Sequence, residues 1–287
     1  HTHYDTQVMP AKDPDRELVF KLHTFSSSLK LRLFNSSSWE HMAGWNMQIQ
    51  KNAIGGYSFL LPEYKRFITG AFCLTTFRLD NQLSVTGGIR YDRGRIDITA
   101  FEDPYLVEYL HRQGYEEEVI QAYRWRSYPV DRAYGNYSCS AGVVWTPAAG
   151  HLLKMNVGRS FRLPGGNELA SNGVHHGTFR HEKGDATLSS EQGWQIDASY
   201  TLAYKKMELV VSSFASWFDN YIYLRPMGEW SVLPHAGQIY QYSGARALFM
   251  GGEINFNMDF LRHFNYRLVG EYVYTYNRDE HTALSFS

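Results

Sequence analysis

The chain has 287 residues, enough for one large domain or two small ones. Aromatic residues make up 16% of it, with 21 Tyr, 17 Phe and 7 Trp against 9 Pro, a mix that favours strands because aromatic side chains fit a pleated surface. A formal net charge of −1 excludes a global electrostatic pull on nucleic acid, and two cysteines, Cys73 and Cys139, can neither staple a fold nor offer zinc-site spacing.

No apolar run reaches the roughly 18 residues that a membrane-spanning helix needs. Barrel strands remain open as membrane elements, because they alternate and never form such runs. The pattern predicts strands at about 17–34, 39–51, 66–79, 82–99, 135–147, 151–162, 189–205, 207–224, 238–260 and 265–277. Short connections (Asn35 to Ser38, Asp80-Asn81, Ala148 to Gly150, Lys205-Lys206 and Leu261 to Phe264) alternate with long ones at about 52–65, 100–134, 163–188 and 225–237. A helical spacing is legible around Glu108–Gln121, with Glu116, Glu117 and Glu118 expected to be solvated.

Side chains alternate along most of these segments. Trp194, Ile196, Ala198, Tyr200, Leu202 and Tyr204 share one face, while Gln195, Asp197, Ser199, Thr201 and Ala203 share the other. Such a strand sets its apolar face against either a second sheet or lipid. Three features favour lipid. The strands are roughly 12–23 residues long, against a usual ~5–6. Short and long connections alternate, as expected when one rim faces a periplasm and the other the exterior. Aromatics gather near strand ends, among them Trp39, Trp145, Tyr204, Tyr91, Tyr137 and Tyr274. The expected fold is therefore all-β: an antiparallel transmembrane β-barrel with long extracellular loops and short periplasmic turns. The alternative is a soluble β-sandwich that binds a ligand and buries the Trp194–Tyr204 face inside protein. The chain opens on His1-Thr2-His3 without a Met start or a signal peptide and closes just after a strand. Residues 1–287 are accordingly read as part of one larger barrel domain.

The stretch FRLPGGNELASNGVHHGTFRHEKGDATLSSEQGW, from Phe161 to Trp194, resembles TonB-dependent outer-membrane receptors. There an FRAP-like box ends a strand, an NELYANGVHHGT-like loop follows, and an NPNL-like box with a Glu starts the next strand. Here Leu163 replaces the usual Ala, and the second box is reduced to Gly184-Asp185-Ala186-Thr187-Leu188 with Glu191. Gly87 to Asp92 resembles the family's GGLRYD, Trp217 to Leu224 its RFDNYIYL, Gly251 to Ile254 its GGEL, and Gly55 to Tyr64 its GGYEFLIPDY. The resemblance covers about residues 17–277. It implies a barrel of about 22 strands, of which this chain carries about ten, around a plug. It further implies residence in the outer membrane of a Gram-negative bacterium, energy-coupled uptake of a metal ion or chelate (haem, siderophore-iron or zinc), and no catalysis. Implied partners are outer-membrane lipid, the TonB complex acting through a plug, and the small-molecule or metal ligand, with no nucleic acid. No resident cofactor is required. The plug and the TonB box are not in this sequence.

Pro164 cannot donate to a ladder, so it ends pairing, and Gly165-Gly166 permits a sharp turn. Arg162 can pair with a plug or barrel carboxylate or simply anchor the rim. Of 12 histidines, His1, His3, His111, His175, His176, His181 and His235 fall in long loops or the N-terminal tail. His175, His176 and His181 lie between the two family boxes beside Glu168, Glu182 and Asp185. Imidazole ligates zinc and haem iron, so His175 and His176 are the candidate metal ligands, with His181, Arg162 and Glu168 as further substrate contacts. The bland reading is a polar loop with ordinary histidines. In the 100–134 loop, Tyr105, Tyr109, Tyr115, Tyr123, Trp125 and Tyr128 lie among Arg112, Arg124, Arg126 and Arg132. That composition suits a planar anion or a self-packed loop. No GxSxG, P-loop, GxGxxG or HExxH is present.

Overall fold

The computed structural model describes residues 16, 18–56, 59–175, 177–234, 236–260 and 263–284. In chain order the elements are β1 (Val19–Asn35), β2 (Trp39–Gly55), β3 (Tyr64–Arg78), β4 (Leu83–Ile98), β5 (Phe101–Glu102), α1 (Pro104–Arg112), α2 (Glu117–Arg124), β6 (Trp125–Ser127), β7 (Val130–Trp145), β8 (His151–Arg162), α3 (Gly166–Ala170), β9 (Asn172–His175), β10 (Arg180–Lys183), β11 (Glu191–Tyr204), β12 (Met207–Trp230), β13 (Gln238–Phe260) and β14 (Phe264–Asn277). The ten long strands form one antiparallel sheet in the order β1-β2-β3-β4-β7-β8-β11-β12-β13-β14. Among the described residues the two outer strands do not pair with each other, so the sheet is open.

The ten predicted strands are these ten. β7 starts earlier than expected, at Val130, and β12 runs on to Trp230 because its pairing with β13 continues past a bulge between Phe218 and Tyr221. The single expected helical stretch is two helices, α1 and α2, separated at Gly114, whose φ of 78° is the left-handed conformation that glycine adopts at no steric cost. Asp103 caps α1, its carboxylate accepting from the N–H groups of Tyr105 and Leu106, and Glu116, Glu117 and Glu118 are exposed as expected.

Register carries the two-faced pattern across the whole sheet. Directly paired residues point to the same side, and Ser28, Asn46, Gly70, Asp92 and Asn136 make one row. One step along, Trp45, Ala71, Tyr91 and Tyr137 make a row on the other side. On the apolar face no second layer covers the side chains: Ile89 is 61% exposed, Ile196 42% and Tyr204 58%. That is the opposite of what the sandwich alternative requires. Exposed Trp39, Trp145, Tyr204, Phe260 and Phe264 mark the short-turn rim. Cys73 and Cys139 are free thiols, each directly opposite Ile89 on either side of β4. Two strand spacings of about 4.8 Å place them beyond disulfide reach.

The buried core lies at the long-loop end. One cluster joins the strand ends Ile96, Ile98, Val130 and Ile222 to Leu169, Ala170 and Leu188 of the 163–190 connection. A second joins Leu106, Leu110, Ile120 and Tyr123 of α1 and α2 to Val174 of β9 and to Leu233 and Ala236. Three long loops thus fold into one cap.

Candidate functional site

The segment between the two boxes is the keystone of that cap. Pro164 is fully buried and β8 ends just before it. The chain then makes α3, the hairpin β9–β10, and a turn that returns to β11. β10 pairs in parallel with the long-loop end of β13, Arg180 opposite Gln238 through Lys183 opposite Gln241. Long-range pairing of this kind leaves no local signature in sequence, and neither β9, β10 nor α3 was foreseen.

Arg162 closes the base of the segment. Its Nη1 donates to Glu168 Oε2 at 2.8 Å and its Nη2 to Glu191 Oε2 at 3.1 Å. Each carboxylate also accepts a backbone N–H, Glu168 from Gly165 at 2.7 Å and Glu191 from Ile222 at 3.0 Å. One guanidinium therefore ties the first box to α3, to the second box and to β12. Glu168 sits at the third position of α3 and reaches back to its N-cap, a capping-box geometry. The second box folds onto α3: the Asp185 N–H donates to Glu168 O at 2.8 Å and the Gly184 N–H to Ser171 O at 2.6 Å. Gly184 lies so close to the backbone of Leu169, Ala170 and Ser171 that a Cβ there would collide with it. The carboxylate of Asp185 accepts from the Thr187 N–H at 2.8 Å, and Leu188 enters the core.

The histidines separate into two environments. His181 is fully buried, its Nε2 2.6 Å from Asn172 Oδ1 and its Nδ1 2.8 Å from Ser231 Oγ. Asn172 spends its amide N–H groups on the carbonyls of Ala122 and Trp125. Its Oδ1 therefore accepts, which assigns the His181 proton to Nε2 and makes Nδ1 the acceptor of the Ser231 hydroxyl. Burial pulls the His181 pKa down to about 3, with Arg126 and Lys183 adding repulsion. Both ring nitrogens are committed to the fold.

His175 is half-exposed at the end of β9. Its Nδ1 lies 3.1 Å from Glu182 Oε1, and Glu182 Oε2 accepts the Tyr242 hydroxyl at 3.0 Å. Asn167 Nδ2 donates to that same Tyr242 oxygen at 3.0 Å, so the chain of contacts runs back to α3. With Nδ1–H directed at a carboxylate and no partner at Nε2 among the described residues, the His175 ring has the orientation a metal-binding imidazole needs. His176 lies outside the described residues, as do His1, His3 and His235. Among the described residues no group of three or more His, Cys, Asp or Glu side chains is arranged to hold a metal ion.

The aromatic–arginine loop is largely self-packed. Tyr123 is buried against His181. Arg124 pairs with Glu102, and Arg132 donates to Ala186 O at 2.6 Å. Arg126 is buried over the Phe59 ring, and burial lowers its pKa to about 10 even though Asp103 pulls the other way. Exposed Tyr105, Tyr115 and Tyr128 remain on the cap surface. Below the cap, on the polar face, Arg90 pairs with Asp92 and donates to Asn46 at 2.7 Å.

This geometry agrees with the comparisons. A family profile described as "TonB dependent receptor-like, beta-barrel" matches residues 4–286. The copper transporter OprC superposes with a TM-score of 0.72 at 15% identity, over 93% of this chain and 40% of that one. A double mutant of the Serratia marcescens hemophore receptor HasR, solved with its hemophore HasA and heme, gives 0.61 at 20% identity, over 91% and 42%. The FrpB iron transporter from Neisseria meningitidis gives 0.59 at 13%, over 93% and 37%. The chain thus spans less than half the length of each, and at these identities the likeness speaks to fold alone. No curated protein matches it in sequence. With the family profile matching nearly end to end, the chain belongs to the TonB-dependent receptor β-barrel family of Gram-negative outer-membrane proteins.

Proposed function

We propose that the chain is wall and outer cap of a receptor that takes up a metal ion or metal chelate across the outer membrane. Entry is energised by TonB through a plug domain, and no bonds are made or broken in the cargo. The observation that carries the cargo class is His175, held by Glu182, which Tyr242 holds in turn, with no partner at Nε2 among the described residues, in a loop that the cap fixes at the exterior. His176, next in sequence, is proposed as its companion ligand. Arg162 and Glu168 act as the frame that holds this loop, and His181 as its internal pin. The named neighbours that handle copper, heme and iron are compatible with this class of cargo.

The test is binding of haemin, Zn²⁺ and Cu²⁺ to the intact outer-membrane protein in detergent, with a His175→Ala, His176→Ala double variant alongside. One of the three ligands is expected to bind and to lose at least about tenfold in affinity in the double variant. Glu182→Gln is expected to lose about 10–100-fold through misorientation of His175. Undiminished affinity in the double variant would remove the histidines from the site.

A further inference from the structure

One row of side chains crosses the four strands of the cap. His175 of β9 is directly opposite Arg180 of β10, Arg180 is opposite Gln238 of β13, and Gln238 is opposite Trp230 of β12. Directly paired residues share a side, and the other side of these strands carries His181, Val174 and Ile239, all buried. At about 4.8 Å per strand, the row is about 14 Å long from His175 to Trp230. One step inward the same side is closed: Glu182 is buried, and Gly173 lies so close to the Phe59 backbone that a Cβ there would collide with it. The row itself is open, with His175 half-exposed at one end and Trp230 71% exposed at the other.

Within this row Arg180 differs from the other cap arginines. Arg124, Arg132 and Arg162 give their guanidinium N–H groups to Glu102, to Ala186 O and to the Glu168–Glu191 pair. Arg180 rests on the Tyr240 ring, 4.9 Å from its centroid, and among the described residues its guanidinium has no carboxylate or other acceptor. Glu182, two residues on and on the same side, is taken up by His175 and the Tyr242 hydroxyl. A guanidinium stacked by its face on an aromatic ring keeps its N–H edge for a bidentate oxyanion. A bare metal ion at His175 would be repelled by a cation on the neighbouring strand. A chelate that carries a carboxylate satisfies both residues at once, and the exposed Trp230 ring offers a flat apolar surface at the far end of the row.

We propose that Arg180 is an oxyanion-binding residue that restricts the cargo to a flat metal chelate bearing a carboxylate, with the carboxylate on Arg180 and the ring extending toward Trp230. The inference rests on the reading of His175 as the metal contact and narrows what that contact accepts. It is tested by equilibrium binding of haemin and of haemin dimethyl ester, which keeps the iron and the ring but has no carboxylate, to the intact outer-membrane protein in detergent. Haemin is expected to bind at least about tenfold tighter than the ester. Arg180→Gln is expected to erase that preference by weakening haemin while leaving the ester unchanged, and Arg180→Lys to keep part of it. Trp230→Ala is expected to weaken both ligands alike. Equal affinity of the native protein for the two ligands, a preference that survives Arg180→Gln, or an equal loss of both ligands in that variant, as a merely structural role would give, overturns the proposal. Binding of Zn²⁺ or Cu²⁺ through His175 without any binding of haemin overturns it as well, and leaves the histidine reading standing. A haemin preference that depends on Arg180 but is untouched by His175→Ala would instead remove the histidine and leave Arg180 in its role.

Discussion

Arg162 and His181 hold the loop by opposite means, one through charge and one by staying neutral. Removing Arg162 leaves Glu168 and Glu191, both mostly shielded, facing each other without a cation. Arg162→Ala is expected to cost about 2 kcal/mol of cap stability, read as faster proteolysis within residues 163–190. Arg162→Lys should recover only part, because a single ammonium cannot reproduce the fork between two carboxylates. His181 makes the stability of the loop depend on pH. Its folded pKa of about 3 lies below the ordinary value of 6.5, so the unfolded loop binds a proton that the folded loop refuses. Its contribution is therefore whole above pH 6.5 and is lost progressively as pH falls from there toward about 3, approaching ~1.4 kcal/mol per unit. The protection factors of the β9 and β10 amides, that is, exchange rates corrected for the intrinsic slowing of exchange toward acid, should fall between pH 6.5 and 5 in the native chain. Loss of that fall in His181→Gln supports the assignment, and its persistence contradicts it. The sequence offered Arg162 a carboxylate partner and set His175 and His176 apart as candidate metal ligands, but it did not show that the His181 ring is enclosed. The separation of a pinned His181 from a presented His175 depends on Asn172 and Glu182 within the hairpin and on Ser231 from another loop.

Among elements, the long strands were legible because polar and apolar residues alternate over more than ten positions, far longer than a turn or a helix sustains. The cap elements were not. β9 and β10 are four residues each, and β10 owes its existence to the end of β13, more than fifty residues away. The α1–α2 pair is stabilised by side chains from other loops, which local spacing cannot anticipate. Leu110 is fully buried at that junction. Leu110→Ala is expected to cost about 3 kcal/mol, showing as raised amide exchange in α1, α2 and β9 while the ten-strand sheet keeps its protection. Exchange that rises equally throughout the sheet would mean that the cap is not a separable unit.

For the whole molecule, the governing fact is that, among the described residues, the sheet has no buried core below its cap. One side is polar, with Arg90, Asp92 and Asn46 bonded to one another, and the other is apolar and uncovered. Among the described residues burial is confined to loops and to the middle and long-loop parts of strands, so the lower wall depends on what surrounds it. Hydrocarbon on one face and a wet lumen on the other satisfy both sides. The direct measurement is a nitroxide scan along β11 of the intact protein in bilayers, after replacing Cys73 and Cys139. Labels at 196, 198, 200 and 202 are predicted to collide with dissolved oxygen, and labels at 195, 197, 199 and 201 with a water-soluble nickel chelate. The account is contradicted if the first set is shielded from both reagents, as a covering layer of protein would require, or if the alternation is absent.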